Sequence, residues 1–109
     1  MTRRELEQRI EQVQAELAAL GPVHPGSISQ QYNVCGNPGC RCKDPDNPQK
    51  HGPYYQLSYS WRGKHTTRFV RAEQLEDMER KVANHRRLRE LTQEWIDLSV
   101  ALERAADDD

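Results

Sequence analysis

Cys35, Cys40, Cys42 and His51 stand in the pattern Cys-x4-Cys-x-Cys-x8-His, with Gly36, Asn37, Pro38 and Gly39 filling the first interval. Thiolate sulfur and imidazole nitrogen are the donors zinc prefers, and it takes four of them in a tetrahedron. Short, turn-rich intervals between thiols make a knuckle in which several segments of chain converge on one ion. Three thiolates and one imidazole would close the shell, so the pattern points to a structural rather than a hydrolytic Zn2+ site. The chain has three cysteines in all. An odd number packed into eight residues argues against a disulfide framework, and in a reducing compartment it argues for metal ligands. The plain alternative is three unligated cysteines beside a loop histidine. His24 is the other upstream loop histidine, and its distance from the thiols makes it a poor rival to His51. The C-x-x-C spacing of a thiol redox motif is absent.

A second set of residues suits a polyanion. Residues 49–72 carry Lys50, Arg62, Lys64, Arg68 and Arg71, no acidic side chain, and five of the chain's seven aromatics. Basic side chains address phosphates, and exposed aromatic faces stack on bases, so DNA or RNA is the implied ligand. The competing reading makes Tyr55, Tyr59, Trp61 and Phe69 the packed face of a ribbon, with Lys64 and Arg68 merely solvated. Arg86, Arg87 and Arg89 form a further basic cluster beside Glu79, Glu90 and Glu94, which a salt-bridged helix face explains as well as nucleic acid does.

Four elements are needed to hold these residues. Thr2 and Glu5 make a capping-box pattern ahead of Leu6, Ile10, Val13, Leu17 and Leu20, whose spacing predicts a helix over residues 1–21, ended by Gly21-Pro22. The stripe is narrow, like a coiled-coil seam. Residues 22–53 are dense in proline, glycine, asparagine and aspartate and read as the zinc loop. An unstructured run of that length is improbable in a compact domain, so something other than an apolar core must order it, and metal binding, contributing on the order of 10 kcal/mol in small zinc modules, is the candidate the cysteines supply. Residues 54–71 read as a two-stranded hairpin turning at Arg62-Gly63, with Tyr55, Leu57, Tyr59 and Trp61 on the core side. Residues 72–105 form a long helix with Leu75, Met78, Val82, His85, Leu88, Leu91, Trp95, Leu98 and Leu102 at threes and fours, and a one-residue phase slip near Leu88. Ala105 to Asp109 is a solvated acidic end. The fold class is α+β, and 109 residues suit one domain, 1–109.

The formal net charge of -1 conceals a segregation. Residues 21–72 hold seven basic and two acidic side chains, and residues 73–109 hold six and eleven. The middle is basic and the C-terminal part acidic. No apolar run approaches the roughly 18 residues of a membrane span, and Thr2-Arg3-Arg4-Glu5 does not open a signal peptide, so a cytoplasmic protein without membrane contact is expected. No loop pairs a nucleophile with a base and there is no glycine-rich phosphate loop, so neither catalysis nor a small-molecule substrate is expected.

The run Gly26-Ser27-Ile28, then Gln31-Tyr32, Cys35-Gly36-Asn37-Pro38-Gly39-Cys40-Arg41-Cys42, His51-Gly52-Pro53-Tyr54-Tyr55, Gly63-Lys64, Thr67-Arg68, and finally Asn84, Arg86 and Leu88 resembles the bacterial family grouped as domain of unknown function 6788. The C-x4-C-x-C and HGPYY signatures together carry the resemblance. Members of that family often lie among mobile-element genes, which implies a DNA-related role. Asn37 stands where the family commonly has a lysine, so any contact made by that lysine is missing here.

Two functions follow as expectations. One is a zinc-binding, non-catalytic module contacting nucleic acid through the hairpin. The other is a homo-oligomeric adaptor, a homodimer built on the part of the long helix, Leu91, Trp95, Leu98 and Leu102, that a shorter first helix would leave uncovered.

Overall fold

A computed structural model describes residues 1–107 of the chain. The element order is α1 (Arg3–Ala19), β1 (Ser27–Asn33), a single 3-10 turn (Arg41–Lys43), β2 (His51–Trp61), β3 (Lys64–Val70) and α2 (Ala72–Asp107). The class is α+β, as expected. The chain forms two compact units, Met1–His24 with Ala83–Asp109, and Pro25–Val82. The expected solvated acidic end falls partly on Asp108 and Asp109, outside the described residues; the helix itself continues to Asp107.

The first unit is a helical pair. Thr2 caps α1, its Oγ1 accepting from the Glu5 N–H at 3.2 Å. The apolar stripe of α1 packs as its spacing predicts: buried Leu6 and Val13 meet buried Leu91 and Leu98, with Ile10, Leu17, Leu20, Ala101, Leu102 and Ala105 around them. Arg9 forks onto Glu94 (Nε to Oε2 2.6 Å, Nη2 to Oε1 2.8 Å), and Arg87 Nη2 donates to Glu16 Oε2 at 2.7 Å. These pairings run in opposite chain directions, so the helices are antiparallel. Asn84 Nδ2 donates to the Pro22 carbonyl at 2.9 Å and ties the chain that leaves α1 to the helix it pairs with. The expected overhang is thereby corrected: α1 covers Leu91, Leu98 and Leu102, because its own stripe extends to Leu6 at the far end of the pair.

The second unit is a three-stranded antiparallel sheet in the order β1-β2-β3, where the sequence pattern implies two strands. β1 pairs with β2 from Ser27↔Ser58 to Asn33↔His51, and β2 pairs with β3 from Tyr55↔Val70 to Trp61↔Lys64. β1 has a weak pattern because Ser-Ile-Ser-Gln-Gln-Tyr-Asn offers one aliphatic residue, Ile28, to a core face. β2 begins at His51 rather than residue 54, and Gly52-Pro53, which reads as a turn, sits where the β1 register shifts and beyond the end of β3. There the proline's missing N–H leaves no ladder position unpaired. Arg62 (φ 51°) and Gly63 (φ 78°) form the two-residue turn, both with the positive φ that matches strand twist.

One sheet face is apolar. Leu57 and Val70 are buried with Met78 and Val82 from the start of α2, and Ile28, Tyr55, Tyr59 and Leu75 pack around them. The opposite face is polar and cross-linked: Gln31 Nε2 donates to Gln56 Oε1 at 2.8 Å, Ser58 and Thr67 hydroxyls lie 3.2 Å apart, and Ser60 Oγ lies 3.3 Å from His65 Nδ1. The apolar residues that α2 gives to the cores thus fall in two clusters, Leu75, Met78 and Val82 in one and Leu91, Leu98 and Leu102 in the other. The phase slip read near Leu88 falls between them.

Candidate metal centre and basic hairpin

Residues 34–50 connect β1 to β2, and Cys42 is the one buried side chain among them. Local turns shape this connection. The Cys40 N–H bonds the Asn37 carbonyl at 3.2 Å, and the Gly39 N–H bonds Asn37 Oδ1 at 3.1 Å, so Asn37 closes the knuckle between the first two thiols. Asp44 Oδ1 accepts from the Asp46 N–H at 2.9 Å and the Asn47 N–H at 3.4 Å, the self-turn that aspartate favours. The Gln49 N–H returns to the Arg41 carbonyl at 3.0 Å. His51 arrives from the other side as the first residue of β2, opposite Asn33.

These turns bring together all four residues singled out by spacing. The donor atoms of Cys35, Cys40, Cys42 and His51 lie within 4.8 Å of one another. Cys35 Sγ is 3.6 Å from Cys42 Sγ, and Cys40 Sγ is 3.1 Å from His51 Nε2. Zinc bonds of about 2.0–2.3 Å directed to tetrahedral corners set donors roughly 3.5–3.8 Å apart. The cluster therefore fits one tetrahedral ion with small side-chain adjustments. The backbone supports the sulfurs as well, the Cys35 N–H pointing at Cys42 Sγ at 3.3 Å.

The thiols differ electrostatically. Cys40 is pulled down to about 6, first by a backbone N–H bond from Cys42 and then by hydrogen bonds with Cys35, Cys42 and His51 that favour thiolate. The Cys35 N–H bond pulls the Cys42 thiol down too, but burial and the neighbouring Cys40 and Cys35 sulfurs outweigh it, and the net shift is upward. One thiolate is thus ready at neutral pH. A second must give up a proton to bind a cation, and a bound cation supplies that driving force.

The basic residues are less closely gathered. Lys50 and Arg71 flank the metal end of the sheet, whereas Arg62 and Lys64 sit at the hairpin tip, ten residues along β2, or about 34 Å at strand rise. Arg68 lies between, paired with Leu57 on the edge strand β3. The five do not form one patch. Trp61 corrects the sequence reading, which puts it on the core side: it is 63% exposed, because its strand partner is Lys64 and the apolar cluster stops at Tyr59. Arg62 stacks over its ring, guanidinium carbon 4.8 Å from the centroid. Phe69 is 61% exposed as well, since Val70 takes the inward position, and it meets Tyr54 edge to face at 6.4 Å. Tyr54 and Phe69 line a groove of about 560 Å³ with Asn33, Val34, Cys35 and His51. The alternation of β2 suffices to place Tyr54 outward; for Phe69 the register of β3, set by the Arg62-Gly63 turn, is needed as well.

A cysteine-histidine cluster that could hold a metal ion, set between an edge strand and a β-hairpin in a chain that also forms a helical pair, makes this a small α+β protein with a candidate metal site. The family model described as Domain of unknown function (DUF6788) matches residues 3–80, and the chain belongs to that family. The match takes in the whole cluster and the sheet and ends before Asn84, Arg86 and Leu88. No curated protein and no solved structure matches the chain.

Proposed function

We propose that this chain is a zinc-ordered, non-catalytic cytosolic module that contacts nucleic acid through the tip and edge of its hairpin. The observation that carries the reading is the tip itself: an exposed tryptophan under an arginine, with Lys64 opposite and Arg68 further along the same strand face. Of the aromatics that could form a packed ribbon, Tyr55 and Tyr59 pack and Trp61 and Phe69 do not. An exposed indole beside cations supplies a stacking surface and phosphate contacts together. Zinc is favoured as the metal because three thiolates and an imidazole are its ligand chemistry, and four protein donors fill its tetrahedron without a place for a reacting water. No helix among the described residues is long and apolar enough to cross a membrane. The family's association with mobile elements suits a DNA-linked role.

The test is a salt titration of binding to short single- and double-stranded DNA and RNA. Affinity falls linearly on a log–log scale as salt rises, and replacing Arg62, Lys64 and Arg68 together by alanine flattens the slope by nearly one unit for each phosphate no longer neutralised. Metal content stays unchanged, because the tip is remote from the cluster. Equal binding by parent and triple variant at every salt concentration would refute the nucleic-acid contact.

A further inference from the structure

Once α1 has covered its stripe on α2, a second apolar stripe on the same helix is left without a partner. Trp95, Ile96 and Val100 are 37%, 56% and 44% exposed, and with Thr92, Ser99 and Glu103 they line a groove of about 530 Å³. At about 100° per residue, Arg89, Thr92, Ile96, Ser99 and Glu103 share a sector of about 80°, roughly a third of the way round from the Leu91, Leu98 and Leu102 stripe that meets α1. This stripe is not a solvated helix face: the charged residues of the sector stand at its two ends, and its centre is aliphatic, aromatic and small.

The two ends carry opposite charge. Arg89 and Glu103 are about 21 Å apart along the axis, and neither has an ion-pair partner among the described residues, whereas Arg80, Lys81 and Arg87 elsewhere on α2 do. A second copy laid antiparallel sets its Glu103 end against this Arg89 end, and its Arg89 end against this Glu103 end, with the two Ile96 regions together at the centre. A parallel copy would stack arginine on arginine and glutamate on glutamate. The stripe is therefore complementary to itself in one orientation, as a twofold interface requires. Ser99, small and central, lets the helices approach closely between the flanking Trp95 and Val100 side chains.

We infer that the second copy of this chain is the partner of this face, docked antiparallel along Arg89 to Glu103 of α2. The surface needs neither the metal nor a nucleic acid, so its fate is separate from that of the function proposed above. Sedimentation of the metal-loaded full chain over a concentration series reads it. The parent approaches twice the 12.7 kDa chain mass at high concentration. Ile96→Asp stays monomeric with unchanged helicity, since Ile96 is exposed in the single chain. Arg89→Glu and Glu103→Arg each weaken the dimer by about tenfold, because each turns two attractive pairs into repulsive ones, and the double variant recovers the parent's dissociation constant to within a few-fold. A parent that remains monomeric at every concentration, or an Ile96→Asp variant that still dimerises, overturns the inference and leaves the face to a different protein. Single reversals without effect, or a double variant that fails to recover, overturn the antiparallel orientation.

Discussion

Replacing Cys40 by serine tests the candidate metal centre at the thiol whose pKa is lowered. Cys40 sits 3.1 Å from His51 Nε2, so it couples the knuckle to the first residue of β2, and it is the sulfur whose pKa is lowered to about 6. A hydroxyl keeps the size and loses the thiolate. Sharing the binding free energy of a structural zinc among four ligands, the loss of one corresponds to about a hundredfold to a thousandfold weaker binding. The structural effect should be as large and confined. Between Asn33 and His51 the sole buried side chain is Cys42, and a handful of turn hydrogen bonds cannot hold some 17 residues of loop against their conformational entropy. Arg41, Lys43 and Lys50 lie in that loop and are trypsin sites. Competition against a chromophoric chelator gives the affinity, and limited trypsinolysis gives the order. The expected outcome is a variant that loses metal and is cut at those residues, while the α1–α2 pair, which has its own buried cluster, keeps its helicity. A variant with the parent's zinc affinity and trypsin resistance refutes both the ligand assignment and the idea that metal orders the loop.

Leu91→Ala removes a fully buried side chain from the helical cluster and should cost about 2–5 kcal/mol in denaturant melts followed by circular dichroism, with zinc content unaffected. Gly52→Ala should weaken zinc binding, since a Cβ there would lie 2.9 Å from the Gln31 carbonyl at a φ of 133°, and relief of that clash moves His51; unchanged affinity in the same chelator competition contradicts it. Zinc uptake at pH 7 should release protons, measured by calorimetry in buffers of different ionisation enthalpy. The raised Cys42 pKa means that this thiol is protonated before binding, so affinity rises with pH until Cys42 ionises unaided, and falls on acidification as Cys40 is protonated around pH 6. Glu94→Gln should remove an acid-sensitive contribution to the helical pair: the Arg9 hydrogen bond lowers the Glu94 pKa, so its stabilisation is present above the ordinary carboxylate range and is lost as pH falls through the lowered value.

Much of this architecture is legible in the residues, for reasons that differ from element to element. The cap at Thr2, the stripe from Leu6 to Leu20 and the long helical repeat are plain because helical periodicity is a local signal repeated many times. The four candidate ligands are legible because donor type and turn-rich spacing are themselves the chemistry. β1 is not, since an edge strand with one aliphatic residue takes its place from a neighbour, here Leu57 opposite Ile28, and no single segment encodes that pairing. Trp61 misleads because alternation extends an apolar face to the end of a strand, whereas the core that covers it stops two residues earlier, at Tyr59. The position of the proposed dimer stripe is obscured for a similar reason. Leu91, Leu98 and Leu102 advertise burial, but the sequence does not say whether α1 or another chain provides it.

The Asn33↔His51 pair closes the base of the β1–β2 connection like a clasp, with the ligands gathered at its hinge. Beyond Cys42 the segment from Lys43 to Lys50 contributes no candidate ligand and no buried side chain, so with an ion fixing both of its ends its length would be nearly free. Doubling such a loop costs only about 0.6 kcal/mol of closure entropy. It is therefore the place in the chain where insertions should be tolerated among relatives, and where a peptide tag or a fluorescent reporter could be spliced without disturbing either the sheet or the metal.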